Sequence, residues 1–236
     1  MLLGHYSASF AIKSQTRDVP LWVFFIAVQL MDIFWTSLLL LGVEKARVDP
    51  SLASVPLDLY YMPYSHSLVA VLIVCAAVFF LYRSFAPPRG LMKPALLVSL
   101  AVLSHWLLDI PVHRPDLPLY DNMDKIGLGL WNYPVWAFLL EIGLFFGCMF
   151  MYLRATRATG RGGKYGFLVF GLVLAIIQAG IVFAPVPGWL TTEVVAVSLL
   201  AYYFATAAVV WWLGKKREWG SLARGSVDNV NPDHRN

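Results

Sequence analysis

Six long apolar stretches divide the chain, and they constrain its fold more than any other feature. They lie near residues 20–42, 66–82, 94–110, 131–153, 165–184 and 190–213. Each approaches the ~20 residues that a helix needs to cross the hydrocarbon core of a bilayer. Prolines mark several of the breaks between them, at Pro20, Pro63, Pro94, Pro185 and Pro187. The pattern predicts an all-α protein, a polytopic membrane bundle of about six transmembrane helices.

The composition agrees with a membrane protein and leaves little room for a separate soluble domain. Hydrophobic residues make up 59% of the 236 residues and charged residues 14%. We predict a single transmembrane domain over residues 1–214 and a polar, mobile tail over residues 215–236. Residues 1–13 are apolar but too short to cross a bilayer, so they are expected to form a short helix. This helix either packs inside the bundle or lies along the membrane surface.

Lysine and arginine are distributed unevenly between the two ends of the predicted helices. If the first stretch runs outward, the inner side receives fourteen of the eighteen, namely Lys13, Arg17, Arg83, Arg89, Lys93, Arg154, Arg157, Arg161, Lys164, Lys215, Lys216, Arg217, Arg224 and Arg235. This bias follows the positive-inside rule and predicts that both chain ends are cytoplasmic. Topology and contacts with the lipid bilayer then explain the net charge of +4, and no nucleic-acid partner is expected.

Three ionisable side chains end the third apolar stretch, in the segment His105-Trp-Leu-Leu-Asp109-Ile-Pro-Val-His113. A helix places residues four apart on one face, so His105 and Asp109 can reach a common point. Charged groups in lipid are costly and usually functional. Because Pro111 is expected to end the helix, the direction of the His113 side chain stays open.

Depth along the helices brings further polar residues to the same level. At ~1.5 Å per residue, Asp32 lies roughly 18 Å and His105 roughly 16 Å from the inner ends of their stretches. His66 lies at the outer mouth of its helix, and His5 reaches this level if residues 1–13 enter the bundle. The predicted cluster lies in the outer half of the membrane and consists of His5, Asp32, His66, His105 and Asp109.

Imidazole and carboxylate ligands together suit a divalent metal, with zinc the first expectation and iron or manganese as alternatives. Five candidates exceed the four ligands of a structural zinc site. They can therefore hold one metal with an open position, or two metals that share a bridging carboxylate. Either arrangement lowers the pKa of bound water and polarises an ester, which favours hydrolysis. Each histidine alone could equally be a hydrogen-bond partner between helices, and it is their grouping that favours a metal.

Four more side chains are candidates for the surroundings of the cluster. Glu141 is a buried carboxylate expected to act as a proton acceptor or as a structural partner of a histidine, and Asp109 is the second candidate for proton transfer. Gln29 and His113 are expected around the ligands. Arg114 either holds a phosphate or carboxylate at the mouth of the site or pairs with Asp116 in its loop.

Four motifs carry a likeness to a known family: Gly4-His5, Gln29-Leu30-Met31-Asp32, Tyr64-Ser65-His66-Ser67-Leu68 and Ser104-His105-Trp106-Leu107-Leu108-Asp109. Over about residues 1–155 the chain resembles bacterial inner-membrane proteins regarded as membrane-bound metal-dependent hydrolases, in particular an uncharacterised branch that is sometimes labelled permease. The order of these residues also resembles, remotely, that of zinc-dependent phospholipase C enzymes, although the later His-x-x-x-Glu element is missing. The resemblance implies a hydrolase of the bacterial cytoplasmic membrane. Its substrate would be an amphiphilic ester or phosphoester, with a lipid as one candidate.

Two readings from other functional classes remain open. In a small proton-coupled transporter or permease, Asp32, His105 and Glu141 would relay protons rather than bind a metal. In a membrane scaffold, the histidines would be satisfied by neighbouring helices and no cavity would open to them. The sequence makes no prediction of oligomeric state.

Overall fold

The computed structural model describes residues 1–85 and 92–220, which fold into a helical membrane bundle. Its helices are α1 (His5–Lys13), α2 (Leu21–Val28), α3 (Leu30–Leu40), α4 (Leu68–Ser84), α5 (Met92–Val112), α6 (Pro134–Ala155), α7 (Gly160–Phe183) and α8 (Thr192–Gly214). A short 3-10 helix, Leu130–Asn132, precedes α6. The four strands are β1 (Lys45–Val48), β2 (Leu57–Tyr61), β3 (Thr156–Ala158) and β4 (Arg217–Trp219).

The helices coincide with the six apolar stretches of the sequence, so the predicted all-α membrane bundle is confirmed. Helices α5, α6, α7 and α8 are each long and apolar enough to cross a membrane. Helices α2 and α3 are long and apolar enough only as a pair, which is bent by 48° at Gln29, so four to five helices are candidate spans. Helix α4 is apolar and has 17 residues. Many large apolar side chains on the outside of the bundle are exposed, as expected for a surface that faces lipid.

Helix α1 packs inside the bundle rather than along its surface, which decides between the two alternatives for residues 1–13. It contacts α2, α5 and α6. Tyr6 and Phe10 on this helix are fully buried, and the Tyr6 ring stacks on Phe25 of α2 with centroids 4.3 Å apart. The Tyr6 hydroxyl shares a hydrogen bond of 2.7 Å with the hydroxyl of Thr206 on α8. These contacts hold His5, the first residue of α1, at the centre of the protein.

Two small antiparallel sheets lie at opposite ends of the bundle, where the sequence predicted loops. Strands β1 and β2 pair between α3 and α4, and β3 and β4 pair just after α6 and α8. Arg217 stabilises the second sheet by donating to the backbone carbonyls of Leu153, Thr156 and Gly163. The tail predicted from residue 215 thus begins with a paired strand, and its residues 221–236 lie outside the described part of the chain, as does Arg89.

Helix α5 continues through Pro111, so the prediction that this proline ends the helix is wrong. The helix runs to Val112, and the backbone N–H of His113 donates to the carbonyl of Asp109 at 2.9 Å. Proline lacks its own N–H but leaves its carbonyl and the donors of later residues available. The helical path therefore persists far enough to place His113 on the same face as Asp109.

Candidate metal centre

The five predicted ligands converge at one end of the bundle. They come from α1, α3, the turn before α4, and α5. Their potential ligand atoms form two sets, His5 with His105 and Asp109, and Asp32 with His66 and His105. Within each set all of these atoms lie within 4.8 Å of one another. Buried His and Asp groups that could hold a metal ion are therefore present.

His105 belongs to both sets and is fully buried on α5. Its Nδ1 is 2.6 Å from the backbone carbonyl of Val28, where α2 ends. A carbonyl can only accept, so Nδ1 carries a proton, and in the neutral ring Nε2 holds the free lone pair. Nε2 lies 3.2 Å from Oδ2 of Asp109 and 3.6 Å from Oδ1 of Asp32. A ring nitrogen with its partner nitrogen fixed to a carbonyl is typical of a metal-binding histidine.

His66 is oriented by a relay of two side chains that the sequence did not point to. The buried carboxylate of Glu44 accepts from the Ser65 hydroxyl at 2.6 Å and from the backbone N–H groups of Tyr64 and Ser65. Since the hydroxyl proton is directed to Glu44, the oxygen of Ser65 accepts from Nδ1 of His66 at 2.7 Å. The lone pair of His66 Nε2 then faces Nε2 of His105, 3.4 Å away. Two lone pairs this close require a cation or a proton between them.

Asp32 lies on α3 just after the bend in the first span, beside both of these nitrogens. Its Oδ1 is 3.4 Å from Nε2 of His66, and its Oδ2 accepts from the Tyr203 hydroxyl at 2.9 Å. The bend at Gln29 directs α3 so that Asp32 reaches α5. One carboxylate oxygen is thus held by a neutral donor, and the other is directed at the histidines.

Asp109 and His5 form the most deeply buried part of the cluster. Their side chains are 1% and 0% exposed. Oδ2 of Asp109 and Nε2 of His5 meet other members of the cluster at 3.2 Å without a well-directed hydrogen bond, and Nδ1 of His5 has no polar partner. Nε2 of His5 lies 3.2 Å from Oδ1 of Asp109, which the amino group of Met1 also contacts. The His5 ring stacks on the ring of His105 at 3.8 Å. Buried polar atoms without partners are costly, and a bound cation would satisfy these.

His113 joins the cluster from the end of α5. Its Nδ1 is 2.7 Å from Oδ1 of Asp116, its Nε2 is 3.5 Å from Oδ1 of Asp109, and its ring packs on Trp131. Burial alone would lower the pKa of His113, but the Asp109 and Asp116 carboxylates raise it to about 8. The surroundings of this ring therefore favour a positive charge.

The other predicted residues lie around the ligands rather than among them. Glu141 is buried on α6 and accepts from the backbone N–H groups of Leu2 and Gly4, both at 3.0 Å. Gln29 donates to the carbonyl of Leu2 at 3.1 Å. Both side chains thus fix the segment that leads into His5.

Arg114 points away from the ligands and stabilises the loops over them. It donates to the side chain of Asn132 and to the backbone carbonyls of Ala53 and Val55. Asp116, the alternative partner that the sequence offered for Arg114, instead accepts from His113. The guanidinium therefore joins the loop before β2 to the loop after α5.

A cavity of about 440 Å³ reaches the cluster from the end that carries β1 and β2. Its polar lining consists of Asp32, His66, His113, Glu141, Gln178, Ser198 and Tyr203. Most of its remaining wall is apolar and includes Trp35, Met62, Trp131, Ile181, Leu190 and Leu199. Gly180 and Ile181 on α7 and Ser198 on α8 line the cavity and are themselves exposed. The ends of α7 and α8 that lie next to the cluster therefore form an accessible part of the cavity wall.

The donor set and its spacing fit a divalent metal. Around one ion with bonds of about 2.0–2.2 Å, neighbouring ligand atoms lie roughly 3–3.5 Å apart. The contacts of 3.2–3.6 Å among His66, His105, Asp32 and Asp109 are close to this range. The outward nitrogens of His66, His105 and His113 are each bound to an acceptor, which is how proteins orient metal-binding histidines.

Sequence reasoning missed the residues that orient the ligands, above all Glu44, Ser65 and Asp116. In the sequence, Glu44 is one of several acidic residues in a loop, and nothing marks it as a partner of Ser65. Ser65 is next to His66 and Asp116 is three residues after His113, and this proximity was the one sign that they could orient these histidines. Comparisons of the chain with protein-family models, curated proteins and solved structures found no match.

Proposed function

We propose that this protein is a membrane-embedded, metal-dependent hydrolase of the bacterial cytoplasmic membrane that cleaves an amphiphilic ester or phosphoester. One observation carries the proposal: buried histidine nitrogens and carboxylate oxygens converge where a largely apolar cavity ends. The likeness of the Gly4-His5, Ser65-His66 and Ser104-His105 motifs to those of membrane-bound metal-dependent hydrolases supports the same conclusion.

Zinc is the metal we propose first, with iron or manganese as alternatives. The donors are imidazole nitrogens and carboxylate oxygens, a combination that all three metals accept. A divalent metal bound here would supply a water of lowered pKa and would polarise the bond to be cleaved. Asp32 and His66 line the cavity, so they present this chemistry to a substrate.

The residues of the chain provide the remaining parts of the mechanism. Glu141 lines the cavity and holds the segment before His5, and Asp109 lies among the histidines. We propose these two carboxylates as proton acceptors during the attack of water on the substrate. The apolar walls bury the non-polar part of the substrate and exclude bulk water from the bond that breaks.

The cavity composition supports an amphiphilic substrate, for which a lipid is the leading candidate. Its charged and imidazole side chains lie at the cluster, and most of its other lining is apolar. We propose that its mouth opens between α7 and α8, two helices that are long and apolar enough to cross a membrane. A molecule with an apolar chain and an ester or phosphoester head would satisfy both regions. Access from the bilayer would bring such a molecule to the centre without passage through water.

Orientation follows from the basic residues at the end of the bundle opposite the cluster. Lys13 and Arg17 lie against Trp219 of β4, and Arg217 joins α6, β3 and α7. We propose that this end is cytoplasmic, with both chain ends on that side. The metal centre then lies in the outer half of the membrane.

Hydrolysis assays on the purified protein in nanodiscs test the proposal. The probes are chromogenic nitrophenyl carboxylic esters and phosphate mono- and diesters of graded chain length, with zinc, iron or manganese added. The wild type should cleave at least one class, and Asp32→Asn and His105→Ala should lower the rate by about 100-fold or more. Asp124→Asn, on an exposed loop, is the matched control and should keep the rate. Unchanged rates in both site variants would overturn the proposal, and metal-independent proton flux in liposomes would favour a carrier.

A further inference from the structure

We propose that a cavity at the end of the bundle opposite the metal centre binds the phosphate group of an anionic phospholipid. The cavity has a volume of about 330 Å³, and residues from α1, α2, α6, α8 and β4 line it. We call it the basic pocket, and its lining includes Lys13, Leu21, Trp22, Trp211, Lys215 and Arg217. This site is separate from the metal centre, so the inference goes beyond the proposed hydrolysis and does not depend on it.

The charged side chains on the wall of the basic pocket are all positive. Lys13, Lys215 and Arg217 line it, and no aspartate or glutamate does. Within the described part of the chain, none of the three forms an ion pair. Asp18, the acid nearest to Lys13 in the sequence, is exposed and accepts from the Thr16 hydroxyl at 3.3 Å. A cleft lined by charges of one sign attracts a ligand of the opposite sign, here an anion.

Lys13 is the buried member of this set. It is the last residue of α1 and is 8% exposed. Its ammonium group donates to the backbone carbonyls of Val19 at 2.8 Å and Arg17 at 3.3 Å. An ammonium group has three N–H donors, so one remains for a ligand. A buried charge is costly without a counter-ion, and an anionic oxygen in the pocket would supply one.

Arg217 and Lys215 add charge from β4 and from the end of α8. The guanidinium group of Arg217 uses four N–H donors on three backbone carbonyls and the Thr156 hydroxyl, so its positive charge is held in place. Lys215 is exposed, and its Nζ lies 3.4 Å from the centre of the Trp211 ring. Lysine and arginine are the side chains with which proteins bind phosphate oxygens.

The apolar part of the lining favours a lipid over a free phosphate ion. Leu21, Trp22 and Trp211 line the pocket beside the basic groups. Trp22 and Trp211 are 40% and 49% exposed, and exposed tryptophans near the ends of membrane helices mark the level of the lipid headgroups. Basic pockets between membrane helices bind anionic headgroups at this level. The acyl chains of the bound lipid would then lie along α2 and α8.

Titration of the full-length protein in detergent with phosphatidylglycerol tests the inference. Native mass spectrometry measures the affinity, and thermal unfolding follows the effect on stability, since a ligand of the folded state raises the melting temperature. Phosphatidylglycerol should bind more tightly than zwitterionic phosphatidylcholine. Lys215→Gln should weaken the binding of phosphatidylglycerol about fivefold, which is the contribution of one basic side chain near an anionic lipid. Lys215 is exposed, so this substitution leaves the buried contacts of Lys13 intact.

Lys164→Gln is the matched control, because Lys164 is exposed at the same end of the bundle but does not line the basic pocket. Its affinity for phosphatidylglycerol should equal that of the wild type. Lys215 lies at the end opposite the metal centre, so its substitution separates this site from lipid bound there as a substrate. Equal affinities for the wild type and Lys215→Gln, or an equal loss in Lys164→Gln, would overturn the inference.

Inorganic phosphate distinguishes the two sources of the phosphate group. At millimolar concentration it should leave the melting temperature unchanged, whereas phosphatidylglycerol should raise it. Stabilisation by inorganic phosphate alone, lost in Lys215→Gln, would assign the basic pocket to a soluble phosphate and overturn the lipid as its ligand.

Discussion

At the scale of single residues, the centre is built by acceptors that fix one nitrogen each of His105, His66 and His113. Val28, Ser65 and Asp116 supply these acceptors, through a carbonyl, a hydroxyl and a carboxylate. Each acceptor directs the opposite ring nitrogen inward. Such orienting contacts are not visible in a sequence, since Glu44 and Ser65 are 21 residues apart and meet across the β1–β2 hairpin.

Removing the hydroxyl of Ser65 should weaken metal binding without removing a ligand. In Ser65→Ala, Nδ1 of His66 loses its acceptor and the ring loses its fixed tautomer and orientation, so affinity should fall by about 10–100-fold. Competition with a fluorescent zinc chelator measures the affinity. Ser65→Thr keeps the hydroxyl, and Ser99→Ala removes a hydroxyl from α5 that donates to Cys75. Equal affinities for Ser65→Ala and Ser99→Ala would show that the relay through Glu44 does not orient His66.

At the scale of elements, α5 determines the position of three side chains of the centre, because His105, Asp109 and His113 are spaced to lie on one of its faces. The sequence predicted the first two correctly because i, i+4 spacing needs nothing but a helix. It left the direction of His113 open because Pro111 was expected to end the helix, whereas a proline disrupts the bonds before it more than the turn after it. The bend at Gln29 was also unpredicted, since residues 20–42 contain no glycine or proline between Pro20 and Gly42 to announce it.

Docking of α1 is predicted to depend on Phe10. This ring is fully buried among Phe25, Phe145 and Phe167, so Phe10→Ala should reduce the free energy of unfolding by about 3–5 kcal/mol. Because α1 begins with His5, bound metal should fall in parallel. Thermal unfolding in detergent measures the first effect and elemental analysis the second.

Phe80→Ala is the matched control for this experiment, since Phe80 on α4 is 65% exposed on the lipid-facing surface. It should leave both the melting temperature and the metal content close to those of the wild type. If Phe10→Ala behaves like Phe80→Ala, then α1 is not held in the bundle as described.

The opening between α7 and α8 is predicted to admit the apolar part of the substrate. Ser198→Trp should fill this opening and slow the hydrolysis of long-chain esters about 10-fold or more, because a misplaced or excluded substrate loses its alignment with the centre. Cleavage of a short, water-soluble ester should be unchanged. The assay compares the two substrates in nanodiscs.

Val197→Trp is the control for the opening, because Val197 neighbours Ser198 and is 57% exposed but does not line the cavity. It should leave both substrates unaffected. Equal rates for Ser198→Trp and Val197→Trp on the long-chain ester would place the entry route elsewhere.

At the scale of the whole molecule, hydropathy predicted where the helices lie along the chain, and charge predicted their orientation. Neither predicts the tertiary contacts that pair the strands and bury α1. Apolar stretches specify spans because backbone groups in lipid must bond within their own helix. They carry no signal for the pairing of β1 with β2 or of β3 with β4, which depends on exposed loops. The length and hydropathy of residues 1–13 likewise do not distinguish a helix buried in the bundle from one that lies on the membrane surface.

The orientation is predicted to place Asp124 outside and Lys164 inside. In a background with Cys75→Ser and Cys148→Ser, a membrane-impermeant maleimide should label Asp124→Cys in intact cells and Lys164→Cys after permeabilisation alone. Both positions are exposed. The reverse pattern would invert the proposed topology and move the centre to the inner half of the membrane.

X-ray absorption spectroscopy of the purified, zinc-loaded protein tests the central claim most directly, because it reports the atoms bound to the metal. If the histidines and carboxylates of the centre bind zinc, the spectrum should show a shell of nitrogen and oxygen donors at about 2.0–2.2 Å with the outer-shell scattering of imidazole. This signal should diminish in His105→Ala. A protein that binds no zinc, or a sulfur shell at about 2.3 Å from Cys75 or Cys148, would contradict it.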